Sequence, residues 1–108
     1  MVKLKIMNQR KSDVSFSTRH FGTATVTTST YQNGNAIAVE LVDQTGEPIT
    51  VLSVNIPNSA HLLGKGEFFA KTWSENEAIT KDALASGIFR DTGRRNDGDV
   101  EAPIWAFK

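Results

Sequence analysis

The amino-acid sequence predicts an α+β fold in which one antiparallel sheet of about five or six strands carries one main helix on one face. Runs of β-branched and alternating residues occupy the first half of the chain. A helical pattern with capping signals occurs once, after residue 73, and a strand-like apolar segment follows it. We therefore expect residues 1–108 to form a single domain.

The N-terminal quarter predicts two short strands and one longer strand. Residues 2–7 alternate apolar and polar side chains, which is the period of a half-buried strand. Polar residues 8–13 predict a turn, and residues 14–17 predict a short strand. Residues 24–31 are rich in Thr and other β-branched side chains, which fit a pleated sheet better than a helix.

A meander of neighbouring strands is predicted next. Asn33-Gly34 separates two strand-like runs and predicts a type I′ turn, because both residues tolerate a positive φ. Residues 36–42 form the next predicted strand, residues 43–48 a turn and residues 49–56 a further strand. Short connections favour antiparallel pairing of these neighbours.

One helix is predicted over residues 75–86. Ser74 and Glu77 match a capping box, and Gly87 stands where a left-handed residue ends a helix. A narrow apolar stripe along this helix would pack on the sheet through Ala78, Ile79, Ala83 and Leu84.

The remaining segments predict connections and two strands. Residues 57–66 contain Pro and Gly and predict a crossing loop, and residues 67–71 predict a brief strand. Residues 90–98 are polar and predict a loop. Residues 100–107 predict a closing strand that Pro103 keeps near an edge or a bulge.

The composition excludes several classes of protein. The chain has no cysteine, which excludes a disulfide framework, a thiolate metal site and a cysteine nucleophile, and fits a reducing compartment. It has neither an apolar run of about 18 residues nor the apolar stretch of a signal peptide. We therefore expect a cytoplasmic protein without membrane insertion.

Charge is unevenly distributed although the formal net charge is zero. Residues 1–20 carry a net charge of +4 and residues 21–108 a net charge of −4. The basic region could bind nucleic acid through its phosphates, or attract the acidic part of the fold or of a second copy. Its cationic residues are Lys3, Lys5, Arg10, Lys11 and Arg19.

No motif with a known catalytic or cofactor mechanism is present. The phosphate-binding loops and the H-E-x-x-H zinc motif are missing, and His20 and His61 stand far apart without partners at ligand spacing. No nucleophile and base stand out together. The sequence therefore predicts a protein that is not an enzyme and that needs no cofactor or metal.

A second cationic cluster consists of Arg90, Arg94 and Arg95. Their guanidinium groups could hold a carboxylate or a phosphate. Alternatively, Gly93 makes a turn and neighbouring aspartates neutralise the arginines, which is the interpretation we favour. The aromatic residues Tyr31, Trp73 and Trp105 could anchor an interface, but on strands of a small domain we expect them in the core.

Four segments resemble one family when they are taken together. They are Tyr31-x-Asn33-Gly34-Asn35-Ala36-Ile37-Ala38-Val39-x-Leu41, Leu52-Ser53-Val54-Asn55-Ile56-Pro57, Phe68-Phe69-Ala70-Lys71-Thr72-Trp73 and Ser86-Gly87-Ile88-Phe89-x-x-Thr92-Gly93-Arg94. Over residues 24–108 the chain resembles a domain-of-unknown-function family of small proteins from bacterial plasmids, conjugative elements and prophages. It departs from the family pattern before the helix, at Lys71-Thr72-Trp73-Ser74. No catalytic residue is implied by the resemblance.

The resemblance implies an accessory protein of a mobile element or phage. Such a protein would bind a bacterial host or defence protein, as anti-restriction and anti-CRISPR inhibitors do. Acidic residues that mimic nucleic-acid charge would form the contact, and we expect them to be Glu75, Glu77, Asp97, Asp99 and Glu101. The alternative is a nucleic-acid-binding accessory protein that uses the basic N-terminal region, and the sequence leaves open whether the protein is a monomer or a homodimer.

Overall fold

The computed structural model describes the backbone of residues 10–108 and the side chains of residues 14–108. Over these residues the fold is α+β, with two antiparallel sheets, one α-helix and two short 3-10 helices at Pro57–Leu62 and Ser74–Asn76. The elements are β1 (Arg10–Thr18), β2 (Gly22–Thr30), β3 (Ile37–Val42), β4 (Pro48–Val51), β5 (Glu67–Phe69), α1 (Glu77–Ala85), β6 (Phe89–Asp97) and β7 (Glu101–Phe107).

The first sheet has the strand order β1-β2-β3-β4 and contains the predicted three-strand meander as β2, β3 and β4. The second sheet has the order β5-β7-β6, so that β7 is its central strand. The antiparallel meander is therefore confirmed, but the strands divide into sheets of four and three instead of forming one sheet.

A short segment after β4 joins the two sheets. The Leu52 amide donates to the Val39 carbonyl of the first sheet at 2.8 Å, and the Val54 amide donates to the Phe69 carbonyl of the second at 2.9 Å. Between these bonds, Ser53 forms an antiparallel bridge with Ala70. The segment 52–54 therefore bonds to both sheets, and we call it the junction.

The main core lies between the two sheets and the helix. Its members come from alternate positions of the strands, as burial of one sheet face requires, and from one side of α1. They are Phe16, Ala24, Val26, Val39, Leu41, Leu52, Phe68, Ala70, Ile79, Ala83, Phe89 and Trp105. Among the described elements α1 contacts both β1 and β6, the strands at one end of each sheet.

A smaller apolar cluster covers the opposite face of the second sheet. Phe69, Ala102 and Ile104 are buried there, and Val54, Ile56 and Leu63 pack against them. Both faces of β7 are therefore apolar near its centre, which explains the almost continuous apolar run in its sequence.

Three predicted boundaries need correction. Residues 10–13 belong to β1 instead of a turn, and residues 90–98 fall largely within β6 instead of a loop. β6 is an edge strand of the second sheet, so much of its surface faces solvent and polar side chains are tolerated. The predicted strand 49–56 ends at Val51, where the junction turns towards the second sheet. The predicted strand 2–7 lies outside the described residues.

The helix was predicted close to its position, but its capping was predicted wrongly. Ser74 has a φ of 61° and starts a 3-10 helix, and α1 begins at Glu77 with Asn76 as its N-cap. The helix boundary carries no side-chain cap hydrogen bond. Gly87, with a φ of 82°, ends the helix as expected, whereas Ala78 of the predicted stripe is exposed.

The turn between β2 and β3 is longer than the predicted two-residue type I′ turn. The positive φ angles occur at Gly34 (95°) and Asn35 (58°), one position later than expected. The Tyr31 amide donates to the Ala36 carbonyl at 2.9 Å and closes a loop of four residues, Gln32 to Asn35.

Candidate functional site

An open groove of about 530 Å³ lies between α1 and the second sheet. Its size is in the range of ligand-binding clefts. Thr72 and Trp73 line it from the segment before the helix, and Thr80 and Leu84 line it from one side of α1. Residues of β6 and β7 form the rest of the lining, and we call the whole surface the α1–β7 groove.

The strands place alternate side chains in the groove. Glu101, Pro103 and Trp105 are two residues apart along β7 and share one face. On β6, Asp91 is opposite Trp105 and Arg95 is opposite Pro103. Between these two pairs, residues 92–94 of β6 lie across from Ile104 alone, so the bulge adds two residues to β6. Because side chains alternate between faces, an even number of added residues keeps Arg95 on the same face as Asp91.

Trp105 combines complete burial with an unused donor. Its side chain is 1% exposed and contacts the rings of Phe68 and Phe89, with centroid distances of 6.3 and 5.9 Å. Among the residues that the structure describes, the Trp105 indole N–H has no hydrogen-bond partner. An indole nitrogen can only donate, and buried donors in proteins are nearly always bonded. The unbonded Trp105 N–H is therefore an exception to the usual pattern.

Trp73 does not lie in the core, where the sequence predicts the aromatic residues to be. Trp105 is buried in the core as expected, but Trp73 is 36% exposed and lines the groove. The next residue, Ser74, has a left-handed backbone conformation, which is uncommon for a residue with a side chain. Trp73 contributes a partly exposed aromatic side chain to the lining of the α1–β7 groove.

The charge along the groove is predominantly acidic. Arg95 donates from Nε to Asp97 Oδ1 at 3.0 Å and from Nη2 to Glu101 Oε1 at 3.3 Å. These two carboxylates more than balance the single guanidinium, and Asp91 and Asp99 add further negative charge nearby on the same hairpin. The β6–β7 hairpin therefore presents a surplus of carboxylates beside the apolar walls.

Arg94 serves a structural contact away from the groove face. It forms an ion pair with Glu67 Oε1, and its Nη1 donates to the Leu62 carbonyl at 3.0 Å. The Arg94 hydrogen bond, followed by the bond from the Gly64 amide, lowers the pKa of Glu67 below its usual value of 4.5. The bulge of β6 is thereby fastened to the loop before β5.

Replacing Glu67 by glutamine is expected to flatten the acid dependence of stability. A carboxyl whose pKa is lowered in the folded state stabilises the fold above the unfolded pKa, and this contribution is lost as the pH falls below about 4.5. Urea unfolding between pH 7 and pH 3 measures the difference. Glu47→Gln, which removes one exposed charge elsewhere, is the control, and equal pH profiles for wild type and Glu67→Gln would contradict the expectation.

The predicted acidic contact residues fall into two groups. Asp97, Asp99 and Glu101 lie together at the β6–β7 hairpin, and Glu101 lines the groove. Glu75 lies in the 3-10 helix before α1 and pairs with Lys71 Nζ at 2.8 Å, and Glu77 is the first residue of α1. The first group therefore adjoins the groove through Glu101, and the second adjoins the segment that carries Trp73.

Arg10, Lys11 and Arg19 are the predicted cationic residues of the N-terminal region that lie in the described part of the chain. Lys3 and Lys5 lie outside the described residues, and Arg10 and Lys11 belong to β1. Arg19 binds Asp82 of α1 through its backbone amide at 3.0 Å and its Nε at 3.2 Å. The hydrogen bond from the Arg19 amide is the largest cause that lowers the pKa of Asp82 below its usual value. The hydrogen bond from the Arg19 side chain lowers this pKa further.

The second cationic cluster does not converge on one point. Arg95 lines the groove, Arg94 bonds to Glu67, and Arg90 is opposite Ala106 in the sheet register. Because Asp91 and Trp105 form the adjacent pair, Arg90 is on the other face of β6. Gly93, with a φ of 85°, lies in the bulge of β6 instead of the turn that the favoured interpretation gave it, and Arg95 pairs with Asp97.

Sequence reasoning missed Trp73, Leu84 and Asp91 as parts of one surface. One feature of the sequence does point to this surface. Glu101, Pro103 and Trp105 are spaced two residues apart, which places a carboxylate and a tryptophan on one face of a strand. It could not be used without the position of α1, which forms the opposite wall.

No helix of the described chain has the length and apolarity that crossing a membrane requires. Comparisons of the chain with protein-family models, with curated proteins and with solved structures found no significant match.

Proposed function

We propose that this protein is a non-enzymatic binding module that holds a basic segment of another protein in the α1–β7 groove. The observation that carries the proposal is the partly exposed Trp73 side chain, which lines the groove together with the carboxylates Asp91 and Glu101.

Charge supports a basic partner. Asp91 and Glu101 line the groove, and Asp97 and Asp99 extend the acidic surface along the hairpin. Positively charged side chains of a partner would be attracted to this surface and oriented by it. Aromatic residues such as Trp73 are common anchors at protein interfaces, where they supply contact area with little loss of conformational freedom.

The biological setting of the proposal is an accessory role in a plasmid or a phage. The resemblance to proteins of bacterial mobile elements supports a host or defence protein as the partner, as in an anti-restriction or anti-CRISPR inhibitor. The alternative, a nucleic-acid-binding accessory protein that uses the basic N-terminal region, is an outcome of the same experiment.

The test is affinity capture from a bacterial lysate, with and without nuclease, with three forms of the tagged protein. Wild type is compared with the groove variant Trp73→Ala and with the control Phe21→Ala, which changes an exposed aromatic side chain in the turn after β1. We expect one nuclease-resistant partner that the control retains and that the groove variant captures at least tenfold less.

Two results would overturn the proposal. Equal capture by wild type and Trp73→Ala would show that the groove is not the contact surface. Loss of all captured proteins after nuclease treatment would favour the nucleic-acid alternative, which a steep decrease of affinity with salt would then support.

A further inference from the structure

The carboxylates that line the α1–β7 groove differ in how they are paired. The Arg95 guanidinium bonds to Asp97 Oδ1 at 3.0 Å and to Glu101 Oε1 at 3.3 Å, so these residues form one cluster of one cation and two anions. Asp91 also lines the groove, and it forms no ion pair with any side chain of residues 14–108. The groove therefore has a carboxylate that Arg95 leaves free for a cation of the partner.

The carboxylate of Asp91 is oriented by the bulge of β6 and is accessible. The Gly93 amide donates to Asp91 Oδ1 at 2.9 Å, and Asp91 is exposed on the groove face, opposite Trp105 in the register. A single hydrogen bond leaves most of a carboxylate's acceptor capacity unused, because each oxygen has two lone pairs. Both oxygens of Asp91 can therefore accept from an occupant of the groove.

The Thr80 hydroxyl on the α1 side of the groove is also left as an acceptor. Thr80 Oγ1 donates to the Asn76 carbonyl at 2.8 Å, and this bond uses its single hydrogen. Since Thr80 is half-buried in the groove lining, an occupant that bonds to this oxygen has to donate. Acceptors on both walls favour an occupant with several N–H groups.

The apolar part of the lining favours arginine among the basic side chains. Trp73, which is 36% exposed, lines the groove together with Leu84 and Pro103. A guanidinium has five donors in a plane, stacks on aromatic rings and binds a carboxylate through two parallel hydrogen bonds. A lysine ammonium has three donors at one point and lacks this planar geometry. The groove therefore fits a guanidinium better than an ammonium group.

We propose that the α1–β7 groove binds an arginine side chain of the partner, whose guanidinium pairs with Asp91 and whose side chain packs on Trp73. This inference rests on the proposed function, since it names the residue of the basic segment that the groove recognises. It assigns the selection of the partner to Asp91 in particular and not to the carboxylates of the β6–β7 hairpin as a group.

The test is an NMR titration of the 15N-labelled protein with three blocked pentapeptides. Each has two glycines on either side of a central residue, which is Arg, Lys or citrulline, the neutral analogue of Arg. The reporter is the backbone amide signal of Gly93, because this amide bonds directly to Asp91. Wild type is compared with Asp91→Asn, with Trp73→Leu and with the matched control Asp99→Asn.

We expect the arginine peptide to shift the Gly93 signal saturably, the lysine peptide to bind at least threefold more weakly and the citrulline peptide at least tenfold more weakly. Asp91→Asn is expected to weaken binding of the arginine peptide at least tenfold, and Trp73→Leu at least threefold. Asp99→Asn removes a carboxylate of the same hairpin outside the groove lining, so it should change the Kd less than twofold. Asp91 and Asp99 are both exposed, so neither substitution removes core volume.

Three results would overturn the inference. They are an unmoved Gly93 signal at the highest soluble concentration of the arginine peptide, equal binding of the arginine and lysine peptides, and equal weakening by Asp99→Asn and Asp91→Asn. The last result would mean that the hairpin attracts cations without a specific contact.

The two proposals can fail separately. If Trp73→Ala loses its captured partner while the arginine peptide leaves Gly93 unmoved, the proposed function stands and only this inference is wrong. If the arginine peptide binds as expected while Trp73→Ala captures the same proteins as wild type, the groove recognises arginine and the proposed function is wrong.

Discussion

Replacing Phe89 by alanine is expected to destabilise the fold by about 3–5 kcal/mol. Phe89 is 1% exposed at the start of β6, and its ring contacts those of Phe16, Phe68, Trp105 and Phe107 at centroid distances of 5.1 to 6.5 Å. Truncation removes contacts to both sheets and leaves a cavity where they meet. Chemical unfolding followed by far-UV circular dichroism measures the loss.

The matched control is Phe21→Ala, since Phe21 is 48% exposed in the turn between β1 and β2. Its effect on the free energy of unfolding is expected to be within about 0.5 kcal/mol. Similar effects at the two positions would contradict the central place of Phe89. A loss of this size at Phe89 is a large part of the stability of about 5–15 kcal/mol that is typical of single domains.

Replacing Asn76 by alanine is expected to cost about 2–4 kcal/mol, because it breaks a buried polar network. Asn76 is fully buried, accepts from Thr50 Oγ1 at 2.6 Å, and donates from Nδ2 to the carbonyls of Val51 and Lys71 at 2.9 and 2.8 Å. These bonds tie the start of α1 to β4 and to the segment after β5. Thermal and urea unfolding both measure the loss.

Asn76→Asp separates hydrogen bonding from volume, since the side chains are nearly equal in size. An aspartate carboxylate cannot donate to the two carbonyls, so at neutral pH this variant is expected to be at least as unstable as Asn76→Ala. The control is the exposed Asn58→Ala, which should change stability by about 0.5 kcal/mol or less. Near-wild-type stability of Asn76→Asp would show that the donors of Asn76 contribute little.

The strands β2, β3 and β7 could be predicted because local preference and tertiary position agree. The β-branched run of residues 24–31 fits a sheet in any context, and β2 covers Gly22–Thr30. β6 was missed because its sequence, from Arg90 to Asp97, is polar and contains Gly93. Its strand conformation depends on pairing with β7, which is a long-range contact that local composition does not reveal.

The start of the helix shows how tertiary contacts override a local motif. Ser74 and Glu77 match a capping box, but the Asn76 side chain is instead held by residues of β4 and by Lys71. In the structure that contains these bonds, Ser74 has a left-handed conformation and Asn76 precedes the helix. A motif of four residues contains no information about such partners.

The candidate site could be predicted only in part, because its two walls are far apart in sequence. Glu101 was named as a contact residue and Arg95 as an anion contact, and both line the groove. Trp73 and Trp105 were expected in the core together, although one is exposed and the other buried. The difference depends on which tryptophan α1 and the other strands cover, and this follows from the packing of the whole chain.

The junction also has a consequence for how the protein unfolds. Two sheets joined by a loose linker could separate and open in two steps. Here Leu52 bonds to Val39 of the first sheet while also accepting from the Lys71 amide at 2.7 Å, and Val54 bonds to Phe69 of the second. Neither sheet can leave the other without breaking this shared set of bonds and exposing the core between them. We therefore expect the seven described strands to unfold as one cooperative unit, because loss of either sheet removes the support of the other.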